Sequence, residues 1–129
     1  MKKIFYLLIT LLSITIQSYA QCWRNASVSF HTLALKSNGT LWAWGYNADG
    51  QLGDGSNIST NTPAQISAAT DWDTVVAGSR HSLALKTDGT LWAWGYNSNG
   101  QLGDGTNTDK NVPVQIGTDN DWTFIAEGG

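Results

Sequence analysis

The chain contains one unit written twice. Residues 31–55 read HTLALKSNGTLWAWGYNADGQLGDG and residues 81–105 read HSLALKTDGTLWAWGYNSNGQLGDG; the offset is 50 residues without a gap, and 20 of these 25 positions are identical. The likeness continues more sparsely through Asn57/Asn107, Asn61/Asn111, Pro63/Pro113, Gln65/Gln115, Ile66/Ile116, Asp71/Asp121, Trp72/Trp122 and Gly78/Gly128. A fixed period of this length marks a repeat architecture, in which each unit buries its apolar surface on its neighbour. Composition agrees: 14 Gly and 7 Trp with only 13% charged residues exclude a coiled coil and a disordered acidic segment.

The texture of each unit is β. Leu33-Ala34-Leu35 and Leu41-Trp42-Ala43-Trp44 flank Asn38-Gly39, and Asp88-Gly89 holds the same place in the second copy. Asn-Gly and Asp-Gly between apolar runs predict a two-residue type I′ hairpin. In that register Leu35 faces Trp42 and Leu33 faces Trp44, with Ala34 opposite Ala43 on the other side. Each hairpin then has one bulky and one shallow face, and copies stack bulky on shallow, as blades do around a propeller axis. The Gly-rich stretches 45–55 and 95–105 read as loops. Residues 64–66, 72–76, 114–116 and 122–125 read as further short strands.

Met1 to Ala20 has a basic start in Lys2-Lys3, an apolar run over Ile4 to Ile16, and small residues at Ser18 and Ala20. This pattern predicts a secretory signal peptide cut after Ala20, and hence a secreted, periplasmic or cell-surface location. The run is shorter than the roughly 20 residues of a membrane span, so no integral span is expected after cleavage. Cys22 raises a lipid-anchored alternative, but Gln21 stands where a small residue is wanted. Cleavage removes two of 7 basic residues and none of 10 acidic ones, taking the formal charge from -3 to -5. That balance, without a Lys/Arg block, speaks against nucleic acid as a partner. The domain plan is 1–20 signal peptide, 21–30 partial repeat or lead-in, 31–80 first blade and 81–129 second blade.

From Gly78 to Ile116 the order Gly-x-x-His-Ser-Leu-Ala-Leu-Lys-x-Asp-Gly-Thr-Leu-Trp-Ala-Trp-Gly-x-Asn-x-x-Gly-Gln-Leu-Gly-Asp-Gly…Pro-x-Gln-Ile resembles the regulator of chromosome condensation repeat. The first copy departs by Val28 in place of the leading Gly and is one residue shorter between Trp23 and His31. The signature residues are His31, Gly39, Trp44, Gly45, Gly50, Gln51, Leu52, Gly53 and Gly55. Their counterparts are His81, Gly89, Trp94, Gly95, Gly100, Gln101, Leu102, Gly103 and Gly105. The resemblance implies an all-β fold, a seven-bladed propeller with one four-stranded blade per repeat, of which this chain would hold two blades. It also implies interaction scaffolds among secreted bacterial relatives, one of which resembles a β-lactamase inhibitor. The GTPase-exchange loops of the founding members have no match here.

No catalytic, cofactor or metal residue is expected. His31 and His81 lack a third ligand or a paired carboxylate, and a backbone-bonding role near the blade interface is expected of them. Asn47, Asp49 and Asp54 have the chemistry of calcium ligands, yet the second copy carries Asn97, Asn99 and Asp104, with one charge lost. Turn formation accounts for both sets. Trp42, Trp44, Trp92 and Trp94 read as core. No nucleophile elbow accompanies any Ser, and GQLGDG lacks the lysine of a phosphate loop.

The expected function is therefore a non-enzymatic protein-binding or scaffold module without a cofactor, its partner a protein. Differences between the copies concentrate at 58–60 against 108–110 and at 67–70 against 117–120, the loops that would choose that partner. The rival readings are a carbohydrate- or surface-targeting module of a secreted hydrolase, or a propeller-type enzyme inhibitor. Repeat folds need about three units for a stable stacked core. Further blades in cis or self-association are accordingly expected, and the isolated chain is expected to be unstable or multimeric.

Overall fold

Eight strands alternate with turns in the computed structural model, which describes residues 21–127; the expected signal peptide lies outside them. They are β1 (Trp23–Val28), β2 (His31–Lys36), β3 (Leu41–Gly45), β4 (Thr60–Ile66), β5 (Trp72–Ala77), β6 (His81–Lys86), β7 (Leu91–Gly95) and β8 (Lys110–Gln115). They form two antiparallel four-stranded sheets, ordered β1-β2-β3-β4 and β5-β6-β7-β8. The described residues are all-β. The sheets do not share the boundaries of the sequence units. Residues 21–30 contain β1, the first strand of the first sheet, so they are more than a lead-in. Residues 31–80 supply three strands to one sheet and one to the next. The cause is a difference of phase: identity is strongest in the β2–β3 hairpin and its loop, whereas pairing starts one strand earlier.

The hairpin loop has three residues, not two. Lys36 N–H donates to Thr40 O at 3.1 Å and Gly39 N–H to Lys36 O at 2.9 Å, enclosing Ser37, Asn38 and Gly39. Gly39 has φ +79°, while Asn38 is outside the left-handed region that a type I′ turn demands. Asn38 works through its side chain instead. Its Oδ1 accepts from Thr40 N at 3.2 Å and Thr40 Oγ1 at 2.7 Å, and Asp88 does the same for Thr90 at 3.1 and 2.7 Å.

One extra loop residue moves the register by one and exchanges the faces. Leu35 pairs with Leu41, Leu33 with Ala43, Ala34 with Trp42 and Thr32 with Trp44. The expected bulky and shallow faces are thereby corrected to an aliphatic face and an aromatic one. Leu33, Leu35, Leu41, Ala43 and Ile66 share the first; Trp42 and Trp44 share the second with Trp23. The core is the aliphatic face of the first sheet seated on the aromatic face of the second. It joins those five residues and Leu52 to Trp72, Val75, Ala77, Ala84 and Trp94. Within the aromatic face Trp72 meets Trp92 edge-on at 5.7 Å, and Lys86 Nζ lies 4.5 Å from the Trp92 ring centroid.

The hairpin tip also seats the link between sheets. Trp72 N–H donates to Gly39 O at 3.2 Å, and Trp122 N–H to Gly89 O at 3.1 Å. A Cβ on Gly39 would run into the Thr70 carbonyl. Residues 122–125, expected as a strand, have no paired neighbour among the described residues and form none. Gly39→Ala combines a left-handed backbone with a backbone clash and is expected to cost more than about 3 kcal/mol in urea unfolding. Gly105→Ala has the same φ, +79°, with nothing within 4 Å, and should cost only about 1 kcal/mol. Equal losses would show that the tip does not position the linker.

Candidate interaction surface

The Gly-rich loop after β3 is built on Asn47, whose side chain is fully buried. Its Oδ1 accepts from Leu52 N at 2.9 Å, and its Nδ2 donates to Ser56 O and Ile58 O, both at 3.1 Å, and to Asp54 Oδ1 at 3.3 Å. Asn97 repeats these bonds to Leu102, Thr106, Thr108 and Asp104. Asp54 Oδ1 also accepts from Ser56 N and Oγ. The corresponding bond from the Thr106 N–H is the main cause holding the Asp104 carboxyl down to about 2. These oxygens are committed to shaping the loop.

The loop then reaches the second sheet. Gln51 O accepts from Trp94 Nε1 at 2.8 Å and from Ser82 Oγ at 2.7 Å. Gly53 fits because a Cβ there would stand 2.7 Å from Trp94 Nε1. Ser82 Oγ, its one proton given to Gln51 O, lies 2.7 Å from His31 Nε2. That assigns the proton to Nε2, with Nδ1 lacking a partner. His31 was expected to bond backbone near the blade interface; it reaches the Gln51 carbonyl through a serine hydroxyl of the neighbouring repeat. The signal was the Thr32/Ser82 position after each His. Burial, reinforced by nearby His81, lowers the His31 pKa to about 4. His31 and Ser82 are adjacent, but Ser82 is fully buried and its proton is engaged, so the pair is a fastener without access to substrate.

The exposed edge above this fastener is aromatic. Tyr46 N–H bonds Phe30 O at 3.1 Å and Tyr96 N–H bonds Arg80 O at 2.9 Å, so each repeat holds residue 30 or 80 beside its tyrosine. Arg80 spans the two repeats. Its Nε and Nη2 donate to Asp49 Oδ2 and Oδ1 at 2.8 and 2.6 Å, and its guanidinium stacks 4.0 Å from the Tyr96 ring centroid. Asp49, singled out above for calcium, is thus the buried partner of Arg80. Phe30 is 69% exposed and Tyr46 45%; with Arg80 they line a hollow of about 300 Å³. Composition and motif pointed to neither Phe30 nor Arg80; the position before each His was the usable cue. The variable stretches 58–60 and 67–70 lie at opposite ends of β4 (Thr60–Ile66), so only 58–60 borders this edge.

A sequence profile of the Regulator of chromosome condensation (RCC1) repeat matches residues 38–85 and 88–129, and a second profile of that description matches 72–101. The chain belongs to the RCC1-repeat family. An RCC1-repeat relative, the Ultraviolet-B receptor UVR8 of Arabidopsis thaliana, is 42% identical over 45 residues, 35% of this chain and 10% of that protein. Prp20p of Saccharomyces cerevisiae superposes with TM-score 0.68 at 22% identity, over 76% of this chain and 26% of its own. Human WBSCR16 gives 0.66 at 27%, over 74% and 26%. The chain therefore spans about a quarter of the solved RCC1-repeat structures and matches a tenth of UVR8. No helix among the described residues is long and apolar enough to cross a membrane.

His31 generates a pH prediction. Its folded pKa of about 4 lies below the usual 6.5, so between those values the unfolded chain takes a proton that the folded chain refuses. Stability should fall as pH drops from 6.5 towards 4, by up to about 1.4 kcal/mol per pH unit, and His81, also lowered by burial, adds to the slope. His31→Asn, which keeps a donor without a titrating group, should flatten the slope in urea melts at pH 7 and pH 5. An unchanged slope would remove His31 as its source. Calcium should leave the thermal midpoint unmoved; an upward shift would reopen the Asp/Asn loops as a cation site.

Proposed function

We infer that the chain is a non-enzymatic protein-binding module, exported by its first 20 residues, that presents the edge formed by Phe30, Tyr46, Arg80 and Tyr96. The carrying observation is a cluster of exposed aromatic side chains around Arg80, whose guanidinium is held in place before any partner arrives. Tyr and Arg dominate binding hot spots, and a pinned side chain loses little further entropy on association. Arg80 is fixed by Asp49 and Tyr96, and backbone bonds set both tyrosine positions beside the adjacent turn. One solved relative, yeast RCC1 (Prp20p), is described in partner-binding terms in two structures: with binding properties to Gsp1p and histones, and bound by Kap60. Those concern far longer chains; what carries over here is the use of the fold to hold a protein. Export from the cytoplasm supports an extracellular or envelope partner in place of the partners named for those proteins.

The test is capture of proteins from the secreted fraction on immobilised chain, with Phe30→Ala and Tyr46→Ala alongside. Both residues are exposed, so neither change should disturb the fold. Each should weaken a captured partner by about tenfold or more. Capture indifferent to both variants would move the site elsewhere. Binding confined to a glycan array would favour the surface-targeting reading.

A further inference from the structure

The two sheets carry the same two faces, and the structure uses only half of them. In the first repeat Leu33, Leu41 and His31 are fully buried; their counterparts Leu83, Leu91 and His81 are half-buried. On the aromatic side the order reverses. Trp72, Ser82 and Trp94 are buried in the second repeat, whereas Trp23, Thr32 and Trp44 are open or half-open in the first. Trp23 is 49% exposed and Val28, which occupies the Ala77 position, 70%. Among the described residues the aromatic face of the first sheet is therefore open, and the aliphatic face of the second is covered over Leu85 and Ala93 but only in part over Leu83 and Leu91. The core between the sheets shows how these faces join.

We propose that a second copy of this chain seats the aromatic face of its first sheet on the aliphatic face of the second sheet, repeating the internal sheet-to-sheet contact between molecules. Residue by residue, Trp23 and Trp44 of the incoming copy take the places of Trp72 and Trp94, and meet Leu83, Leu85, Leu91 and Ala93. The polar fastener transfers as well. His81 Nε2 donates to Thr32 Oγ1, Thr32 Oγ1 donates to Gln101 O, and Trp44 Nε1 donates to the same carbonyl, as His31, Ser82 and Trp94 do around Gln51.

Three internal contacts do not transfer. Arg24 Nη2 donates to Trp72 O and Asp73 O, both at 3.0 Å, but its counterpart in the second sheet is Asp73, which has no proton to give. Asn99 and Phe30 replace the Asp49–Arg80 pair, and Val76 and Val28 replace the Ser27 Oγ bond to Ala77 N. The contact between copies is weaker than the internal one for that reason, and concentration-dependent. The incoming β1 also takes the station of Trp122–Glu127, which is held by the Trp122–Gly89 bond and the burial of Ile125. The contact is head-to-tail, so copies add in a row or close into a ring.

Sedimentation velocity of the full chain and two variants tests this. Wild type should show a mass that rises with concentration. Val28→Lys, at an open site on the aromatic face, and Leu91→Lys, on the aliphatic face, should each be monomeric, with association weakened by about tenfold or more because a lone charge would be buried. Mixed together they should form a heterodimer and nothing larger, because each retains the face the other lacks. Removal of residues 122–129 should leave wild-type association intact or tighter. Monomeric wild type, undiminished association of Val28→Lys, a mixture that stays monomeric, or loss of association on truncation would each overturn the proposal. If Leu91→Lys loses its near-UV circular dichroism, Val28→Lys decides alone.

Discussion

A single backbone carbonyl ties the two sheets together. Gln51 O accepts from Trp94 Nε1 and Ser82 Oγ, and behind Ser82 stands the His31 imidazole. An indole N–H buried without a partner costs a few kcal/mol; Trp72 Nε1 in the same core has no partner, whereas the Gln51 carbonyl spares Trp94 that cost. The Gly-Gln-Leu-Gly stretch exists to bring that acceptor to it. Gln51 Oε1 turns back to Asp49 N, and Gly53 keeps the chain close to the indole. The loop that looks like surface punctuation in the sequence is the bolt of the structure.

Much of the architecture was legible because identical residues must solve identical local problems. Strands β2 to β8, the loops between them and the stacking of repeats follow from the 50-residue period and the hairpin texture; β1 was hidden by its divergent sequence, and 122–125 lacks the neighbour that would make it a strand. The register did not follow from either. Asn38-Gly39 is compatible with a two-residue turn and with a three-residue loop; the choice rests on the Asn38 side chain bonding Thr40, which no pairing rule for Asn-Gly encodes. A single residue of loop length then decided which side chains share a face.

The interface was less legible for a different reason. Trp44 and Trp94 are the same residue in the same local sequence, and one is half-exposed while the other is fully buried. The difference lies in what stands next to each sheet, which periodicity does not report. Likewise His31 and His81 both open the same Leu-Ala-Leu-Lys strand, but only His31 finds a serine across the core. The edge of Phe30, Tyr46, Arg80 and Tyr96 escaped because its members come from two turns in each repeat, brought together by backbone bonds.

Near-identical tandem units face a hazard while folding, since each segment fits equally well against a neighbour of its own chain or of another nascent chain. The Asp49–Arg80 clamp supplies an address. The second repeat offers Asn99 where the first offers Asp49, and the first offers Phe30 where the second offers Arg80. Only the order first-then-second satisfies the buried carboxylate. A reversed stacking, second on first, leaves that charge without its guanidinium, a penalty that discourages it. Two divergent positions thus give direction to a sequence that is otherwise close to a palindrome of function, and they do so at the core's edge, where a change of residue leaves the packing of the leucines and tryptophans untouched.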